Sequence, residues 1–74
     1  MESYKRLKQI REERGHSVED IAKVLEVLPQ RVRYFESGMR PMQMHHYIRL
    51  ARFYDLRIDY LAGLIDEAVP LSKS

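Results

Sequence analysis

The chain has 74 residues, 45% apolar content, no cysteine and a formal net charge of +2. That is one small domain, which excludes a disulfide framework, a thiolate metal centre and an enclosed catalytic cleft and leaves helix packing or self-association to supply stability. Charge is unevenly placed: residues 28–53 carry Arg31, Arg33, Arg40, Arg49 and Arg52 against Glu36, and residues 54–69 carry Asp55, Asp59, Asp66 and Glu67 against Arg57.

The apolar residues recur at helical spacing, with glycine and proline between the repeats, so an all-α chain of five helices is predicted. The first runs from about Tyr4 to Glu13, with Ser3 as N-cap, Tyr4, Leu7 and Ile10 on one face, and Gly15 as its stop. The second opens at Ser17, where Asp20 three residues on completes a capping box, and buries Ile21, Ala22 and Leu25. A third short helix begins at Pro29, which suits a first helical turn, ends before Gly38, and turns Val32 and Phe35 inward. A fourth, from about Gln43 to Tyr54, is predicted to bury Met44, Tyr47, Ile48, Ala51 and Tyr54, leaving His45 and His46 on the surface. Met39 and Met42 before it are expected to be loop filling or exposed surface. The last helix, near Ile58 to Leu64, buries Ile58 and Leu61. The domain is assigned to residues 1–66 and a loose tail to 67–74.

Only Glu26, Val27 and Leu28 separate the second and third helices, which suits a steep crossing and identifies a helix-turn-helix. Ala22 is the small residue at the crossing, and Ile21, Leu25, Val27, Val32 and Phe35 fall at its buried positions. The helical period then puts Gln30, Arg33, Tyr34 and Pro29 on the side away from Val32 and Phe35. The positive middle of the chain suits an anion, of which nucleic acid is the commonest, although a solvated arginine face accounts for charge alone equally well.

From Tyr4 to Gly63 the chain resembles the Cro and phage-repressor type of helix-turn-helix, the XRE family. The matching segments are residues 7–15 (LKQIREERG), 17–25 (SVEDIAKVL), 32–38 (VRYFESG), 48–51 (IRLA) and 58–63 (IDYLAG). The resemblance implies a five-helix, lambda-repressor-like domain whose third helix enters the major groove of double-stranded DNA, usually as a homodimer. It further implies that Arg11 and Glu36 form a structural ion pair. Base readout is expected from Pro29, Gln30, Arg33 and Tyr34, and phosphate contacts from Ser17 and Val18 at the start of the second helix, from Arg31 at the flank and from Arg40. Dimer contacts are expected from Phe53, Leu61, Leu64 and Ile65, with Val69 nearby.

Three departures from the family pattern, over four positions, stand out. Glu26 stands where the turn usually has glycine, Leu28 where the third helix usually has a polar cap, and Val18 and Pro29 replace two polar readers. The expected function is a transcriptional regulator acting as a repressor, cytoplasmic, with no membrane segment, no cofactor, no metal and no enzymatic activity. The rival reading is an antitoxin-like or adaptor module that keeps the fold and binds a protein partner. Val18, Leu28, Pro29 and the exposed methionines favour that rival.

Overall fold

A computed structural model describes residues 2–73. Five α-helices follow one another: α1 (Ser3–Glu13), α2 (Val18–Leu25), α3 (Pro29–Ser37), α4 (Met44–Tyr54) and α5 (Ile58–Leu61), with a 3-10 turn at Leu71–Lys73. Among the described residues there is no strand, and no helix is long and apolar enough to cross a membrane. Leu7, Ile10, Ile21, Leu25, Val32, Phe35, Leu50, Tyr54, Leu56 and Leu61 form one core, and α3 packs on both α1 and α2.

Local chemistry sets the helix boundaries. The Ser17 Oγ accepts from the Asp20 amide and the Asp20 carboxylate accepts from the Ser17 amide, both at 3.0 Å, so α2 starts on a reciprocal cap. Hydrogen bonding with Ser17, its amide first, holds the Asp20 carboxyl below the usual carboxylate range. At the other end of α2, Glu26 takes the left-handed conformation at φ 58°, a strained geometry for a side-chain-bearing residue. Its amide still closes the helix on the carbonyl of Lys23. Pro29 occupies the first turn of α3, and Leu28 before it makes no side-chain cap. Gly38 ends α3 at φ 81°, a conformation that favours glycine, and a Cβ placed there would crowd the Tyr4 ring at 3.0 Å.

Several expectations change. Ser3 is the first residue of α1 rather than its cap; Glu2 precedes the helix and makes no side-chain cap. The buried stripe of α4 is His46, Leu50, Ala51 and Tyr54, whereas Met44 and Ile48 face outward. The rotation follows from two anchors: Leu50 enters the core, and the His46 ring stacks 5.2 Å from Phe35. With the helix turned this way Met42, just ahead of it, packs on the core in place of Met44. The helix at α5 stops at Leu61, so Leu64 lies beyond it, and Ile58 is only half-buried.

The tail is also docked rather than loose. The Arg57 amide donates to the Val69 carbonyl at 2.9 Å, and the Ser72 amide and hydroxyl both donate to the Asp55 carboxylate at 3.1 Å. Ser74, at the end of the expected tail, lies outside the described residues.

Leu61 is fully buried, so it cannot meet a second subunit, and its assignment to a dimer interface is withdrawn. Ile65 is half-buried against the core, while Phe53 and Leu64 are exposed.

Candidate nucleic-acid interface

Burial of Val32 and Phe35 orients α3 and leaves Gln30, Arg31 and Arg33 exposed and Tyr34 half-buried. At about 100° per residue, Gln30 points most directly away from the core, Arg33 and Tyr34 lie about equally far to either side of it, and Pro29 and Arg31 stand at opposite flanks. Of the four expected base readers, Gln30, Arg33 and Tyr34 therefore share the outer face and Pro29 marks its edge. The Tyr34 ring is covered from one side by the Arg40 guanidinium, 5.6 Å from its centroid. The Met39 amide meanwhile donates to the Tyr34 carbonyl and turns the chain out of the helix.

Cationic concavities lie along both flanks of α3. One, of about 350 Å³, is lined by Lys8, Arg11, Val18, Arg33, Glu36 and Ser37. The second, of about 430 Å³, is bounded by Arg31, Arg40, Gln43, His45 and His46 together with Phe35, Pro41 and Met42. This second concavity opens at the start of α4, where no side chain caps the helix and no acid sits in the first turn. Backbone amides at such an end attract anions. The expected phosphate-contacting residues thus divide between the two flanks: Val18 and the start of α2 on one, Arg31 and Arg40 on the other. Val18 is half-buried and its side chain packs on the core, so only its backbone position bears on phosphate.

Three features of the interface were not expected from the sequence. Lys8 joins the first concavity because α1 packs against α3; its outward position on α1 is the only sequence signal. Arg33 is not free: its guanidinium meets the exposed Glu19 carboxylate at 3.5 Å, an interaction across 14 residues. His46, expected on the surface, is buried, and its Nδ1 has no hydrogen-bond partner.

Burial first, then the positive charges of His45, Arg31 and Arg49, hold His46 below the ordinary histidine range. The unfolded chain takes up a proton near pH 6.5, which the folded chain refuses, so this stability is present above that pH and is lost as pH falls through the lowered native value. Wild-type melting temperature is expected to fall between pH 7.5 and 5, and His46→Phe, which keeps a ring against Phe35, should melt with a shallower pH dependence. Equal slopes for the two proteins would show that His46 does not titrate differently in the folded chain.

The Arg11–Glu36 pair links α1 to the end of α3, away from Gln30 and Tyr34. Arg11 donates from Nε at 2.8 Å and from a terminal nitrogen at 3.0 Å to the two Glu36 oxygens, and also to the His16 carbonyl at 3.0 Å. Both side chains are nearly buried, at 12% and 9% exposure. The fork joins α1 to the end of α3 and neutralises the carboxylate nearest the interface. Glu36 hydrogen bonding holds the Arg11 guanidinium firmly protonated. Tyr54, buried beneath the pair, has its phenol pushed up to about 12, chiefly by burial and then by the Glu36 charge.

Residues 5–62 match the family described as the helix-turn-helix domain. A transcriptional regulator from Listeria innocua, known from its crystal structure, is 32% identical, with a TM-score of 0.82 over 97% of this chain and 68% of that one. No curated protein matches.

Proposed function

The chain belongs to the helix-turn-helix domain family, and from that membership we propose that it is a sequence-specific double-stranded DNA-binding regulator of transcription, a repressor of the XRE type. In this reading α3 lies in the major groove as part of a homodimer, in the cytoplasm, and the protein binds rather than catalyses. The observation that carries the reading is the exposed Gln30–Arg33–Tyr34 face of α3 with a cationic concavity on each flank. A major groove has the same plan, base edges in the middle and a phosphate wall on either side. Gln30 fits paired bonds to adenine, Arg33 to guanine, and Tyr34 a phosphate or a thymine methyl. Similarity to a transcriptional regulator supports the same assignment. Of the expected dimer contacts, Phe53 and Leu64 are exposed and remain available for pairing two copies, alongside the exposed Met39, Met44 and Ile48.

Fluorescence anisotropy tests this with a duplex from the region upstream of the coding sequence and with a random duplex pool, each at about 50 and 200 mM salt. Binding is expected to prefer one duplex, to weaken steeply with salt and to show a dimeric Hill slope. Arg31→Ala and Arg40→Ala should each weaken all duplexes alike and lower the salt slope by about 1. Arg33→Ala should cost about 1–3 kcal/mol, and most of the loss should fall on one base pair. Absence of binding to either DNA at low salt would reject the proposal and favour a protein partner for the same surface.

A further inference from the structure

We propose that Leu28 is an additional specificity residue, which reads the 5-methyl group of a thymine beside the base pair contacted by Gln30. The inference rests on the DNA-binding reading above. Leu28 occupies the N-cap of α3, where a hydroxyl or carboxylate would satisfy an amide of the first turn, and it makes no such bond. Its side chain is 77% exposed, so the isolated fold gains neither a cap nor much burial from an isobutyl group at this point. What it does form is one wall of a concavity of about 650 Å³, shared with Glu26, Val27, Gln30, Arg31 and Tyr34. The Glu26 carboxylate on that rim is paired with Arg49 at 2.7 Å, which lessens its repulsion of a nucleic-acid strand.

Position and chemistry together select the target. The N-terminal end of a recognition helix is the part that approaches base edges. Across the major groove the apolar group those edges present is the C5-methyl of thymine. Leu28 and Gln30 line the same concavity, so an apolar contact and a paired hydrogen bond fall on neighbouring positions, and an A·T-containing step satisfies both. Pro29 between them has no amide hydrogen, which removes one of the donors that would otherwise need water at the helix start.

The test uses the duplex that the wild-type protein enriches from a randomised pool, with each thymine replaced singly by deoxyuridine and binding measured by anisotropy. At one thymine position the wild type is expected to weaken about fourfold, the equivalent of one buried CH₂ at about 0.8 kcal/mol. The same replacement should leave Leu28→Ala and Leu28→Ser unchanged. Serine supplies the missing cap, so Leu28→Ser should melt above the wild type, which separates lost discrimination from lost folding. If no thymine is sensitive, or if the sensitivity persists in both variants, the inference is overturned while DNA reading stands. If no sequence is enriched, DNA reading fails and this inference with it.

Discussion

Glu36→Ala is expected to lower the unfolding free energy by about 3 kcal/mol, within the range for removing one partner of a buried ion pair. For a domain of this size that is a fall in melting temperature of roughly 12–24 °C. The loss arises from what remains: the Arg11 guanidinium, 12% exposed, keeps its charge and its bond to the His16 carbonyl but loses both carboxylate acceptors. Replacing both partners by apolar residues, Arg11→Met with Glu36→Leu, should recover most of the stability, because no buried charge is then left unpaired. Thermal melts of the two variants decide the matter. A loss below about 1 kcal/mol for Glu36→Ala would mean that water reaches Arg11 and the fork contributes little.

Arg6→Met should lose a similar amount, about 2–4 kcal/mol, through a different mechanism. Arg6 is 3% exposed and donates to the carbonyls of Tyr60 at 2.9 Å and Ile65 at 3.1 Å, with its guanidinium carbon 4.1 Å from the centre of the Tyr60 ring. Methionine fills much of the volume yet offers no donor, so two carbonyls lose a charged partner and the ring loses its cation. Arg6→Lys keeps the charge without the planar fork and should fall between the two. Hydrogen exchange adds a local readout: the amides of Leu61 and Gly63, which close the end of α5, should lose protection ahead of those in α2. Uniform loss of protection would show that Arg6 supports the whole fold rather than its C-terminal corner.

The two variants also mark where the sequence is informative. Ser17 with Asp20, Pro29 with Gly38, and the inward stripe of Ile21, Leu25, Val32 and Phe35 are signals contained within a turn or two of helix. These place α2 and α3, and hence the reading face, directly. Arg11 with Glu36 was expected through family resemblance, since nothing in local spacing joins residues 25 apart. Arg6 carries no such signal: its burial depends on Tyr60 and Ile65 at the far end of the chain, and an arginine in a polar first turn otherwise reads as solvated. The same applies to α4, where two apolar stripes compete. Met44 and Ile48 offer one face and His46 with Leu50 another, and hydropathy favours the first. The second prevails because Phe35 presents a ring to His46, a tertiary contact that helical periodicity cannot encode. Leu61 and Leu64 posed the matching problem at α5, where Gly63 at φ 79° ends the helical course and sends one leucine into the core and the other into water.

The Tyr4 ring against Gly38 has a dimensional meaning for the proposed reading of DNA. A residue advances a helix by about 1.5 Å, and successive base pairs are about 3.4 Å apart, so an axial slip of two residues would carry Gln30 and Arg33 almost to the next base pair. With no side chain at position 38, the Tyr4 ring of α1 comes within 3.0 Å of where a Cβ would be, and α1 packs against α3. In the proposed DNA complex that contact would help fix the register in which Gln30 and Arg33 meet the base pairs.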